Sequence, residues 1–458
     1  MAELQFSLRD TLLKLLEEKR YYSLRDLFNT MNPADIAAVF EDVDEARLPL
    51  LFRLLPKELA AEAFVEMAPE LQELLIRGFS DSELKEVIDE LYVDDAVDIV
   101  EEMPANVVQR ILAQAEPEMR KQINEILRYP ENSAGSIMTT EYVSLRPNMT
   151  VEEAILRIRR TGIDKETIYT CYVTRGRKLI GLVTVKDLLL CEDDAATIES
   201  IMLEHVISVN TLDDQEQVAQ MFSKYNFLAL PVVDTENRLV GIITFDDAMD
   251  VMEEEINEDM AIMGGMTPSD KTYLHSNALD LFKHRIPWLL LLMVSATFTG
   301  LIITGFENAL AAQVALTAFI PMLMDTGGNS GSQSSVTIIR ALSLGEVHFS
   351  DIGRVIWREL RTAVLCGAVL AAVCFGKILL IDGLLMHNPN ITVTVDAVVC
   401  FTLFVTVVLA KFVGCTLPLF AKKFGFDPAV MASPFITTIV DALSLLVYFL
   451  FAKTILGL

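Results

Sequence analysis

In the last apolar stretch of this 458-residue sequence, residues 429 to 452, one carboxylate, Asp441, interrupts an otherwise hydrophobic run that also carries Pro434, Thr437 and Thr438. A carboxylate at mid-bilayer costs about 3 kcal/mol on insertion scales. It is kept there either by a buried cation, for which Lys411 is the candidate, or by an ion pathway, and the pathway is the favoured reading. A second polar intrusion, PMLMDTGGNSGSQSS, follows the stretch at 309 to 324. Pro321, Gly327, Gly328 and Gly331 oppose a regular helix there, and irregular polar backbone at membrane depth must line water or be buried in protein. Asn329 and Gln333 lie in this polar segment.

The chemistry available is that of hard oxygen ligands. The five histidines and six cysteines form no ligand cluster in sequence, so soft transition metals are poorly served. One carboxylate per chain, doubled across a two-fold axis, suits Mg²⁺, which keeps several waters and accepts one or two carboxylates. Ca²⁺ usually takes more protein oxygens. Enzyme readings find no constellation: the histidines (His205, His275, His284, His348, His387) have no recurrent spacing, and no phosphate-binding glycine loop is present.

A third group is an acidic run between Arg238 and Lys271, a stretch without Lys or Arg. Asp246, Asp247, Asp250, Glu253, Glu254, Glu255, Glu258 and Asp259 occupy the polar faces of a helix whose apolar stripe is Phe245, Met249, Met252, Ile256, Met260 and Met263. Like charges at i,i+4 cost only about 0.2 to 0.5 kcal/mol each on an exposed helix. A solvated face and a cation-binding face are both open on these residues alone.

Elements that must position these groups follow from hydropathy and charge. Apolar stretches at 286 to 306, 309 to 324, 362 to 381, 397 to 421 and 429 to 452 predict five spans of about 20 residues. Lys283, Arg285, Arg340, Arg354, Arg358, Arg361, Lys422 and Lys423 lie in alternate loops, while the loops around Glu307 and from Asp382 to Asp396 contain no Lys or Arg. The positive-inside rule then puts the N-terminus in the cytosol and the C-terminus outside. The first ten residues lack an apolar core, so no cleavable signal peptide is expected. Residues 1 to 270 hold 54 Asp and Glu against 25 Lys and Arg, whereas residues 271 to 458 hold 10 against 12. Such an acidic field repels nucleic acid and gathers cations.

Before the spans, residues 1 to 130 show three- and four-residue apolar periodicity in short segments, predicting an acidic, superhelical α-domain. Residues 136 to 256 contain a repeat, with Ser136-Ile137-Met138 matching Ser200-Ile201-Met202 and KLIGLVTVKDLL (178 to 189) matching RLVGIITFDDAM (238 to 249). Each copy reads as strand, helix, strand, Gly turn, strand and helix, with Gly181 and Gly241 in the turns and Asp187 and Asp247 opening the last helix. This resembles a tandem pair of CBS domains.

TGGNSGSQSS followed by IIRAL, and DPAVMASPFITTIVD with its intramembrane aspartate, resemble the MgtE family of bacterial magnesium channels. The likeness extends over essentially the whole chain. It implies a multi-domain membrane protein: an α-helical superhelical N-domain at 1–130, α/β CBS domains at 131–198 and 199–246, an acidic linking helix at 247–282, and an all-α five-span transmembrane domain at 283–458. It further implies a homodimer in the bacterial plasma membrane that takes up Mg²⁺. The pore carboxylate is then Asp441, with the Thr437 backbone beside it and Asn329, Gln333 and Pro434 as pore-lining candidates, and Mg²⁺ is the regulatory ion, with ATP a candidate ligand of the CBS pair. Regulatory Mg²⁺ sites are implied at Asp94 and Asp98; at Asp214 and Glu216; at Asp247, Asp250, Glu255, Glu258 and Asp259; and at Asp427. Asn226 stands where another carboxylate is expected. A coupled Mg²⁺ exchanger and a membrane-anchored nucleotide sensor, binding through Asp187 or Asp247, are the alternatives.

Overall fold

The computed structural model describes residues 11–457 apart from 13, 270–272, 274, 275 and 386–391, and leaves the side chains of 382–384 and 433 undescribed. The expected outer loop from Asp382 to Asp396, with His387, and the basic residue Lys271 and His275 therefore lie partly or wholly outside the described residues. The chain forms two compact units, Met1–Met252 and Glu253–Leu458.

Within the first unit, nine described helices run from Tyr21–Phe28 to Pro117–Ile126, most of them 8 to 10 residues long. They are short because the sequence punctuates them. Pro33, Pro69 and Pro117 sit in first turns, where a missing N–H costs nothing. Ser80 and Glu83 close a capping box. Alternate helices pack on one another, Pro33–Glu41 on Lys57–Val65 and Lys57–Val65 on Asp81–Ile88. Each buries one stripe in a continuous core that includes Leu24, Phe28, Ile36, Phe40, Phe64 and Leu75.

The repeat becomes two copies of one three-stranded sheet. Strands β1 (Val143–Leu145), β2 (Thr170–Arg175) and β3 (Lys178–Thr184) pair in that order, parallel then antiparallel. Strands β4 (Val209–Asn210), β5 (Ala229–Val233) and β6 (Leu239–Thr244) repeat the arrangement. The expected glycine turns are corrected: Gly181 and Gly241 lie inside β3 and β6, and the first hairpin turns at Gly176 and Arg177, both at positive φ. The two glycines serve close packing. A Cβ on Gly181 would stand 2.6 Å from Met202 Sδ, and one on Gly241 2.7 Å from Met138 Sδ. The sheets also exchange backbone, since Thr139 pairs with Ile242 of β6 and Leu203 with Leu182 of β3. The Ser-Ile-Met segments of each repeat thus complete the other repeat's sheet.

Five long helices dominate the second unit: α3 (Ala278–Gly305), α4 (Ile320–Ser343), α5 (Ile352–Lys377), α6 (Val393–Lys423) and α7 (Ser433–Leu456). Ahead of them α1 (Val93–Glu102) and α2 (Phe245–Met263) carry the acidic groups considered below. Among the described residues, four apolar helices, Ala278–Gly305, Phe349–Ile381, Val393–Lys423 and Pro428–Leu456, are long enough to cross a membrane. Helix α6 is the most enclosed, packing on α4, α5 and α7.

Two expectations need correction. The stretch 309 to 324 is no single span: a short helix Glu307–Ala312 and a 3₁₀ segment Val314–Phe319 lead into α4. TGGNSGSQSS is not irregular backbone but lies wholly inside α4, whose Pro321 sits in the first turn where its ring is tolerated. Pro434 likewise occupies the first turn of α7 and disturbs nothing. The glycines are contact points: a Cβ on Gly328 would meet Thr437 Cγ2 at 2.8 Å, and one on Gly331 Ile436 Cγ2 at 2.8 Å.

Candidate metal centres and ion path

Helix α7 carries Asp441 in its first half, with Oδ1 buried and without a hydrogen-bond partner. Its expected structural partner is elsewhere. The buried Lys411 ammonium donates to Ser334 Oγ at 3.3 Å, and Ser334 donates to Glu359 Oε2 at 2.6 Å. A hydroxyl thus links the cation of α6 to a carboxylate of α5, leaving Asp441 to other chemistry. Thr437 packs its methyl against Gly328. Asn329 Nδ2 donates to Asp325 Oδ1 at 3.1 Å, and the exposed Gln333 carbonyl accepts from Thr337 Oγ1 at 2.7 Å. Pro434 sits against Gly265 at the start of α7. The expectation of one membrane carboxylate per chain fails: besides Glu359 on α5 and Asp396 on α6, α4 carries Asp325. It lay in the polar motif and met the criterion that singled out Asp441.

A second group forms in the first unit. Asp94 and Asp98 of α1 come together with Asp247 at the start of α2. Asp247 accepts from Thr244 N at 3.2 Å, the N-terminal cap that fixes its direction. Sequence reasoning missed Asp95, Glu141 and Glu166, and named Asp246 only as one of the acidic run. One carboxylate oxygen from each of Asp94, Glu141 and Glu166 lies within 4.8 Å of the others. Burial raises Asp94 well above the usual range, Asp95 to about 7, Glu166 to about 8 and Asp247 to about 6, with neighbouring carboxylates adding to each rise. Asp98 reaches the surface yet is pushed to about 8, first by desolvation and then by Asp247 and Asp95; solvent screening there weakens the effect. Glu166 Oε2 is buried without a partner. Oxygen donors that disfavour one another's ionised forms fit a hard dication. Asp95 was legible in the VDDAVD run; Glu141 and Glu166 sit in loops of the first repeat, with no local signal.

Other expected ligands are placed separately. Asp214 caps the helix Gln215–Tyr225, accepting from Gln217 N at 3.3 Å, and Glu216 accepts from Gln220 at 3.1 Å. Asp250 adds its charge to Asp247. In the second unit, Asp259 accepts from Ser343 Oγ at 3.2 Å and is raised by burial, with Asp427 adding to the rise. Asp427 caps the 3₁₀ segment Pro428–Met431. Ile262 and Met263 pack with Ile339, Ala429 and Ala432, seating the end of α2 against α4 and the base of α7. Glu255 and Glu258 lie on α2 between these groups in sequence. Asn226 ends its helix at φ 54°, a left-handed cap that Asn tolerates better than most residues, which accounts for its presence where a carboxylate was expected.

A helical domain, a paired α/β repeat and a bundle of long apolar helices define a multi-domain membrane protein. Residues 320–451 match the family described as a divalent cation transporter (MgtE), residues 31–132 the MgtE intracellular N domain, and residues 134–192 and 198–254 the CBS domain. The chain is 35% identical over 452 residues to the magnesium transporter MgtE of Thermus thermophilus, covering 97% of this chain and 98% of that one. It is 31% identical to that of Bacillus subtilis, covering 95% and 94%. A crystal structure of the cytosolic domain of the Mg²⁺ channel MgtE in complex with ATP superposes with a TM-score of 0.51 at 36% identity, over 53% of this chain and 99% of that one. The chain belongs to the MgtE family.

Proposed function

We propose that this protein is a Mg²⁺ channel of the bacterial plasma membrane, a homodimer whose pore is lined by α4 and α7 and which cytosolic Mg²⁺ closes. The observation that carries the reading is Asp441, whose carboxylate is set on a membrane helix with a buried, unpartnered oxygen, while the nearby Lys411 is engaged by Ser334. An anchor needs no such group. Dehydrating Mg²⁺ fully is costly, so a hydrated ion held by carboxylates and the Thr437 region suits conduction. The bias of Lys and Arg to alternate loops supports a cytosolic N-terminus and an outer C-terminus.

Regulatory Mg²⁺ would be held by Asp94, Asp98 and Asp247, with Asp95, Glu141 and Glu166 beside them, and by Asp259 with Asp427. The ion supplies positive charge that lets these carboxylates ionise together. Binding stabilises whichever state brings them closest, and only this differential affinity can shift the gate. Asp214, Glu216, Asp250, Glu255 and Glu258 complete the proposed acidic field. The CBS pair is proposed to take ATP, supported by the relative whose cytosolic domain binds it. Mg²⁺ flux into proteoliposomes tests the reading: Asp441→Ala abolishes it if the pore assignment is correct, and wild-type flux in that variant overturns the assignment.

A further inference from the structure

We infer that Asp325 is a specificity-determining residue of the ion path, a second membrane carboxylate at the level of Asp441 that recruits the divalent cation and rejects monovalent ones. The inference rests on the pore reading and extends it to a residue that the reading does not need. Helices α4 and α7 run antiparallel, and their contacts set the register. Gly331 faces Ile436, Gly328 faces Thr437, and Gly327 faces Val440 and Ser444. Asp325, half a turn beyond Gly327, continues that register to the level of Asp441 through Ser444.

A separate observation concerns the face that carries Asp325. Asp325, Asn329, Gln333 and Thr337 recur at four-residue steps along α4, and all four are exposed in the single chain. The opposite face, with Gly327, Gly328, Gly331 and Ser335, is buried against α6 and α7. A polar stripe of this length cannot face lipid, because polar groups in hydrocarbon go unsatisfied. It must face water or a second copy. Asn329 donates to Asp325 Oδ1 and so holds the carboxylate on the stripe. With Asp441 it gives the path two carboxylates per chain and four in a dimer, a ring of fixed negative charge of the kind that selects cations. Doubling the charge favours a dication over Na⁺ or K⁺ because the electrostatic energy scales with ion charge. The Asn329 amide is a positioning group: its loss frees the Asp325 side chain without removing the charge.

The test uses the full chain in proteoliposomes, with Mg²⁺ entry followed over a range of external Mg²⁺ and Na⁺ entry measured alongside. Asp325→Asn is expected to raise the half-saturating Mg²⁺ concentration about tenfold and to increase Na⁺ entry relative to Mg²⁺, while Asp325→Glu preserves both. Unchanged half-saturation and selectivity in Asp325→Asn, with Asp441→Asn inactive, overturns the inference and leaves the pore reading standing. Wild-type behaviour in both variants overturns the pore reading itself. Should Asp325→Asn fail to fold, Asp325→Cys treated with a water-soluble thiol reagent gives the second readout. Modification slowed by Mg²⁺ supports the assignment, and a thiol that the reagent never reaches overturns it.

Discussion

Gly414 of α6 approaches Gly331 of α4 so closely that a Cβ on Gly414 would stand 2.3 Å from the Gly331 carbonyl oxygen. The obstacle is backbone, which cannot turn aside as a flexible side chain does. Small residues at such crossings are how membrane helices gain contact without a hydrophobic driving force. Gly414→Ala is therefore expected to lower the stability of the purified protein by about 1 to 3 kcal/mol or more. Gly300→Ala, where nothing lies within 4 Å of the added Cβ, is the control and should leave the detergent-solubilised Tm near wild type.

The Lys411–Ser334–Glu359 chain predicts an asymmetric response. Glu359→Gln removes the carboxylate and strands a buried ammonium, at a cost of about 3 kcal/mol. Lys411→Met combined with Glu359→Gln removes both charges and should recover part of that loss. Thermal unfolding of the two single variants and the double variant measures the coupling. Strict additivity would show that the chain contributes no mutual stabilisation.

The carboxylates around Asp94 set a pH dependence whose sign can be worked out. Their folded-state values are raised, to about 7 for Asp95, about 8 for Glu166 and about 6 for Asp247, above those of the unfolded chain. Between the unfolded and folded values the native state holds more protons, so stability falls as pH rises. In Mg²⁺-free buffer the unit Met1–Met252 within the full chain should lose Tm from pH 5 to pH 8. Millimolar Mg²⁺ should flatten that slope, because the ion replaces the protons. Differential scanning fluorimetry at several pH values reads both effects, and a Mg²⁺-independent slope would count against metal binding at this cluster.

Neutralising Asp247, Asp250, Glu258 and Asp259 together should keep the channel conducting at high cytosolic Mg²⁺. Patch recordings of the quadruple variant provide the check, with unchanged closure by Mg²⁺ as the contrary result. The Asp259 contribution should also show in Ser343→Ala, which removes the hydroxyl that donates to its carboxylate. That variant is expected to shift the Mg²⁺ threshold by less than the quadruple change.

Periodicity alone specified much of the architecture, because the helices of the first domain and the apolar spans each bury or expose a face that recurs in sequence. Asp441 was legible for the same reason: a charge in an apolar run stands out whatever surrounds it. Asp325 met that criterion too, but the glycines beside it pointed to broken backbone. Only packing showed that those glycines are flat surfaces on a continuous helix, placed where Thr437, Ile436 and Gly414 come close. The partner of Lys411 was equally out of reach, since Ser334 and Glu359 lie 77 and 52 positions away in the chain. Glu141 and Glu166 join Asp94 from loops with no periodicity, and the Ser-Ile-Met segments of the repeat cross to the opposite sheet. Local patterns fix which residues must be buried or paired. Which distant residue meets them depends on how the elements close on one another, and that is decided by packing and by the cost of leaving charge unmatched.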